Sequence, residues 1–267
     1  MTGDDLDAVI ASIRARYPED WKVQGISDDE LRLLKECCQQ DGLRLARWLK
    51  RRLYGEPLGY VLGWFEFRGR RFRIDKRAYV TDPEVSPLVD VVVEAARRAL
   101  GHRPGVLVAE VGTGCGSLAI SVWEEVPSLR VVALDIDPNA LALARENAEL
   151  HGAELEILES DYFASWGDRP APDIVFANIP YGDRVYGAQH LRHYLAMPPA
   201  SVFPLSGKND DQKELLRSIG EMGWTSEVLI NCGLLPAEDI HDIVASCQPA
   251  FCELLEPGPR ILHCRMK

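Results

Sequence analysis

From residue 1 to about 55, apolar side chains recur at three- and four-residue spacings, in "LDAVIASIRARY" and again in "DDELRLLKECCQQ", which predicts helices. Ser27, with Glu30 three places later, resembles a capping box opening the second of them. In "GYVLGWFEFRGRRFRID" aromatic and arginine residues nearly alternate around Gly69, predicting a hairpin with "WFEF" and "RFRI" as its strands. "YVTDPEVSP" follows as a connector. Pro83 and Pro87 disfavour a regular element there, and a helix is expected from Leu88 to Leu100.

The pattern then changes. "GVLVAEVGTGCGSLAISVWEEV" is an apolar strand, a glycine-rich turn and a helix, and "RVVALDIDPNALALARENAELHG" repeats the order. "ELEILESDYF" and "DIVFANIPY" hold two more short strands. Strands of this kind alternating with helices call for a mostly parallel α/β sheet covered on both faces. "KNDDQKELLRSIGEMG" and "AEDIHDIVASC" predict helices, "TSEVLINCG" a strand, and "FCELLEPGPRILHCRM" a terminal antiparallel hairpin about Pro257 to Pro259. The expected division is a helical segment 1–58, a hairpin and linker 59–87, and an α/β domain 88–267. No internal repeat or low-complexity tract interrupts it.

The chain has 267 residues, 46% of them hydrophobic, enough for one large core and a small satellite. It has no run of 18 apolar residues and no basic leader at its acidic start, so a cytoplasmic place and no membrane partner are expected. Seven cysteines with neither CxxC pairs nor ligand spacing read as scattered reduced thiols, and no metal is expected. A net charge of -11 argues against a broad nucleic-acid footprint, although residues 44 to 77 are locally basic.

Candidate chemistry begins at "EVGTGCG", Glu110 to Gly116. Gly112, Gly114 and Gly116 between strand and helix let the backbone approach a ligand with its N–H groups outward. The next strand ends at Asp135, about twenty residues on, where a carboxylate accepts from both ribose hydroxyls. Glu110, before the glycines, would repel a pyrophosphate and attract an ammonium. The site therefore reads as one for S-adenosyl-L-methionine. Asp161 is placed to accept from the adenine amine, with Tyr162 or Ile136 against the ring. Asp137, followed by Pro138, reads as a helix cap.

"NIPY", Asn178 to Tyr181, ends the fourth strand. An amide nitrogen or aromatic amine gives its lone pair to conjugation, so methylating it requires that the group be held in line. The Asn178 amide and carbonyls near Pro180 can accept its N–H protons while Tyr181 packs over the flat group. Together with the glycine loop, "EPLGYVLGWFEFRGRRFRID", "ALDIDPNALALARENAELHG" and "SDYF", this segment resembles the HemK/PrmC family, protein glutamine N-methyltransferases acting on the Gly-Gly-Gln glutamine of release factors. The resemblance covers about Tyr60 to Tyr181. It implies a Rossmann-like class I methyltransferase fold with a helical substrate-recognition domain. It also implies Asn178, Pro180 and Tyr181 at the acceptor, and Glu110, Gly112, Gly114, Asp135 and Asp161 at the cofactor; Thr113 and Gly116 of the same turn complete the expected cofactor set.

The chain departs from the family where substrate would dock. "TDPEVS" keeps only Pro83 and Glu84 of the entry segment, Ile179 replaces a proline, and no Gly-Gly run follows "NIPYG". "NIPY" also resembles the motif of ribosomal RNA adenine dimethyltransferases. Three acceptors stay open: a glutamine-like amide in a protein or peptide, a small-molecule metabolite methylated on N or O, and a nucleic-acid adenine. The last would need a basic channel. A cofactor-binding partner protein without catalysis is a further reading, against which the retained Asn178 and Tyr181 count. The roles of His190 and His193 and the oligomeric state stay open.

Overall fold

The computed structural model describes residues 3–182, 194–204, 207–233, 235–255 and 260–266. Helices α1 (Gly3–Arg16), α2 (Pro18–Gln24), α3 (Asp28–Cys37) and α4 (Gly42–Leu53) share a core of their own. The spacings that predicted them supply it: Leu6, Ile10 and Ile13 of α1 join Leu45, Leu49 and Leu53 of α4. Ser27 Oγ accepts from the Glu30 N–H at 3.1 Å, so the helix is capped as expected. The Glu30 carboxylate, however, takes the Arg52 guanidinium, at 2.5 Å, and the box stays half formed.

After α5 (Leu58–Leu62), strands β1 (Trp64–Phe67) and β2 (Arg70–Arg73) form the expected hairpin. Arg68 and Gly69 both have positive φ, +51° and +73°, the primed turn whose twist suits paired strands. Arg68 turns inward, donating to Glu125 and to Ser86, while Arg70 pairs with Glu124. These two arginines tie the hairpin to the next domain, because acidic residues lie beneath them. Arg71 stays exposed over Trp64.

The connector holds more structure than its prolines suggested. Pro83–Val85 is a 3-10 turn, and α6 (Ser86–Leu100) starts two residues early, with Pro87 in the first turn where no backbone N–H is needed.

Seven strands follow in one sheet, among the described residues: β3 (Leu107–Val111), β4 (Arg130–Asp135), β5 (Leu155–Glu159), β6 (Ile174–Ala177), β7 (Glu227–Gly233), β8 (Phe251–Leu255) and β9 (Arg260–Arg265). Their order is β5-β4-β3-β6-β7-β9-β8, parallel through β7, with β9 antiparallel to β7 and β8 antiparallel to β9. The terminal hairpin is thus formed, while the turn expected at Pro257 to Pro259 lies outside the described residues. Successive strand residues point to opposite faces. Val108, Val131 and Phe176 meet α6, α7 (Ser117–Glu125) and α8 (Pro138–His151), whereas Ala109, Val132 and Val175 meet the helices Asp210–Glu221 and Ala237–Cys247. The seven cysteines are free. No described helix is long and apolar enough to cross a membrane.

Chain order reverses between β3 and β6, so their carboxyl ends flank the crevice where a sheet of this kind receives its ligand.

Candidate active site

Every site residue expected from sequence except Gly116 lines one cleft of about 2310 Å³ at that crevice. A drug-sized pocket occupies about 300–1,000 Å³, so this cleft has room for a cofactor and part of an acceptor. Val23 and Gln24 of α2 and Arg52 of α4 lie on its rim.

The glycine turn after β3 has all three glycines at positive φ, +74°, +55° and +82°. Each serves a different end. A Cβ on Gly112 would lie 2.7 Å from Ile179 Cγ2, so this glycine admits the buried Ile179 of "NIPY". Above Gly114 the nearest atom to an added Cβ is 3.9 Å away, and this is the open cradle. Gly116 caps α7 and packs on Ala144 and Ile120, behind the cleft. Gly116 is therefore the one residue of the expected set that is not among the residues lining the cleft.

Glu110 is 1% exposed. One carboxylate oxygen accepts from the Thr113 hydroxyl (2.6 Å) and the Ala119 N–H (3.0 Å), so Glu110 and Thr113 brace the turn from beneath. Burial pushes the Glu110 pKa up from 4.5 to about 8, against the lowering effect of those two donors. Asp135, at the end of β4, accepts from the Gly114 N–H (2.8 Å) and the Asp137 N–H (3.0 Å), and burial raises its pKa as well. Its carboxylate thereby ties the cradle to β4, and each oxygen has a second lone pair. Asp137 caps α8 as expected.

Ile136 is 51% exposed on the cleft wall. Asp161 is exposed in the cleft, and the turn it begins is capped by Ser160, whose Oγ accepts from the Ser165 N–H at 3.0 Å. Tyr162 packs against the core and its hydroxyl reaches Asp211 at 3.5 Å. The open cradle at Gly114, a carboxylate beside it and a bare apolar wall fit a nucleoside-bearing ligand with a positive charge.

At the end of β6 the segment 178–182 is held by three amides. Asn231 of β7 donates from Nδ2 to Asn178 Oδ1 at 2.8 Å. Gln212, fully buried on the helix Asp210–Glu221, donates from Nε2 to the Pro180 carbonyl at 2.8 Å, while its own Oε1 has no partner among the described residues. Asn209, in a left-handed conformation, accepts from the Gly182 N–H at 2.6 Å and donates its own N–H to the Gly182 carbonyl at 3.3 Å. Tyr181 lies over Gly233, which has φ +51°, and its hydroxyl fills the space a Cβ there would need. Sequence reading missed all three amides. Asn231 interrupts an otherwise apolar strand, and Gln212 stands on the apolar stripe of Leu215, Leu216 and Ile219. A polar side chain in such a place must find a partner, and that is the signal that marks them. His190 and His193 lie outside the described residues.

The family described as "Methyltransferase small domain" matches residues 90–195. The release factor glutamine methyltransferase of Lactococcus lactis is 34% identical over 152 residues, 57% of this chain and 54% of that protein. The protein of the same description from Bacteroides thetaiotaomicron is 31% identical over 72% of this chain and 65% of its own length. The match to the first of these thus spans about half that relative's length. Among solved structures, the N-terminal domain of human METTL16, determined with SAH, superposes with a TM-score of 0.51 at 10% identity over 73% of this chain and 75% of that one, a likeness of fold.

Proposed function

The chain belongs to the HemK/PrmC-type glutamine methyltransferase family, and on that premise we propose that it transfers a methyl group from S-adenosylmethionine to a side-chain amide nitrogen of a glutamine in a protein. One observation carries the reading: Ile179 Cγ2 fills the space over Gly112, so the cradle and the acceptor segment "NIPY" meet in one cleft.

The bound cofactor supplies the reactive methyl. Gly112 to Gly114 bring backbone to it, Asp135 accepts from its ribose hydroxyls, Asp161 accepts from the adenine amine, and Ile136 and Tyr162 flank the ring. Glu110 braces the turn from beneath through Thr113 and the Ala119 N–H, and its carboxyl gains negative charge only as pH approaches about 8. Asn178 Oδ1 and the Pro180 carbonyl accept the N–H protons of the acceptor amide, each through the lone pair its protein partner leaves free. Tyr181 packs over the planar group. Holding the nitrogen in line is the main contribution, since no strong base is required when the proton leaves after transfer. The helical segment 1–58 serves recognition, supported by the position of Val23, Gln24 and Arg52 at the cleft rim. The absence of a membrane-crossing helix among the described residues is compatible with cytoplasmic work.

Intact-mass analysis with labelled S-adenosylmethionine, offering a release factor bearing Gly-Gly-Gln beside a small-molecule extract, tests the reading. The expected product is a singly methylated glutamine, lost with Asn178→Ala. Label found only in a small molecule would reassign the acceptor.

A further inference from the structure

The Asn231 side chain sits at the end of β7, 6% exposed, between two groups whose chemistry fixes its orientation. The backbone N–H of Gly233 can only donate, and it meets Asn231 Oδ1 at 3.0 Å. The other end of the Asn231 amide is therefore Nδ2, a donor, and it meets Asn178 at 2.8 Å. Asn178 must answer with its oxygen. Were its amide turned over, two NH₂ groups would face each other, each losing an acceptor.

From this relay, and resting on the reading of Asn178 as an acceptor clamp, we infer that Asn231 is a positioning residue that decides which atom of Asn178 meets the substrate. Gly233 orients Asn231, Asn231 orients Asn178, and Asn178 presents an oxygen whose second lone pair faces an incoming N–H. With the amide reversed, Asn178 would offer NH₂ to NH₂ and the acceptor nitrogen would lose its alignment.

Asn231→Asp is nearly isosteric and separates the two halves of the relay. Its carboxylate still accepts from the Gly233 N–H but has nothing to donate, so Asn178 turns its NH₂ toward it. In ¹⁵N side-chain amide spectra of the full chain, the Asn178 pair, identified by its disappearance in Asn178→Ala, should shift and gain protection from solvent exchange. An unmoved Asn178 pair overturns the inference. If the Asp variant does not fold, Asn231→Ala serves: the Asn178 pair should lose its fixed shift, and retention of the wild-type shift counts against the relay.

The kinetic arm uses S-adenosylmethionine and a Gly-Gly-Gln release factor. Asn231→Asp should lower turnover at saturating acceptor by about 100-fold, the size expected when an acceptor is misaligned, with cofactor affinity unchanged. In the Asn178→Ala background the same change should add nothing. Independent, additive losses would mean that Asn231 merely supports the fold and would refute the proposal. If Asn178→Ala leaves turnover intact, or the release factor is not methylated, the functional reading fails, and the spectra still decide whether Asn231 sets the amide.

Discussion

The two ends of the cleft are built by different means. At the end proposed for the cofactor, Glu110, Thr113, Gly114 and Asp135 brace one another through bonds between a turn and the strand beside it, within 26 residues of chain. At the end proposed for the acceptor, "NIPY" is a short segment with little hold on itself. It is gripped by Asn209, Gln212 and Asn231, which lie 27 to 53 residues further along. The first arrangement keeps its shape through local motif; the second depends on how helix Asp210–Glu221 and β7 pack. Such a division leaves the cofactor site intact while the segments around the acceptor diverge.

The change that should most damage both ends is Gly112→Ala. The left-handed backbone alone costs an L-residue about 1–2 kcal/mol, and the new Cβ meets Ile179 at 2.7 Å besides. Cofactor affinity, turnover and the denaturant midpoint should all fall together. A variant that kept its cofactor affinity would show that the two ends are not joined at this contact.

Next in size are two substitutions that should separate the ends. Asn178→Ala should lower turnover at saturating acceptor by about 100-fold and leave cofactor affinity within about twofold. Asp135→Ala should do the reverse, weakening cofactor binding by roughly 1.5–3 kcal/mol, the worth of hydrogen bonds to a charged group. Calorimetric titration beside steady-state kinetics measures both, and equal loss of both parameters in either variant would erase the comparison.

Glu110 sharpens it through pH. Its carboxyl has a pKa of about 8 in the fold against 4.5 for the ordinary group. Between those values the folded protein keeps a proton that the unfolded chain has released. Stability of the protein without cofactor should therefore decline as pH rises from about 4.5 to about 8 and level off above. Cofactor carrying positive charge favours the ionised form, so its affinity should rise over the upper part of that range. Denaturant midpoints taken across pH should show the slope, and Glu110→Gln should flatten it; an unchanged slope in that variant would place its origin elsewhere.

The smallest effect expected is on the stability of Gln212→Leu. The change gives up the bonds to the Pro180 and Ile179 carbonyls and also removes a buried oxygen without a partner among the described residues, so the midpoint should move by no more than about 1 kcal/mol. Turnover should respond more than stability. A large loss of stability with normal turnover would make Gln212 a core residue alone.

The sequence foretold most of what lay in one stretch of chain. Alternating apolar strands and helices predicted the parallel sheet, and the glycine turn, Asp135 and "NIPY" came to one crevice because strand ends collect there. Long-range pairings were not legible. Nothing in the chain near Arg68 and Arg70 marks a partner for them, and only the fold sets Glu124 and Glu125 beneath them. Glu30 answered its local motif by half because Arg52, 22 residues away, competes for its carboxylate. Pro87 was read as a breaker although the first turn of a helix accepts it. Ile179, a departure from the family's proline, looked like a weakened motif until the structure set it against Gly112.

The contact between Tyr181 and Gly233 limits the order in which this site can change. Position 233 needs a left-handed backbone, and the volume a side chain would occupy there already belongs to the tyrosine. A larger residue at 233 is therefore closed to the lineage while Tyr181 remains. The aromatic ring has to be lost first, and with it the cover proposed for the acceptor, so any descendant that widens residue 233 has already passed through an ancestor without Tyr181.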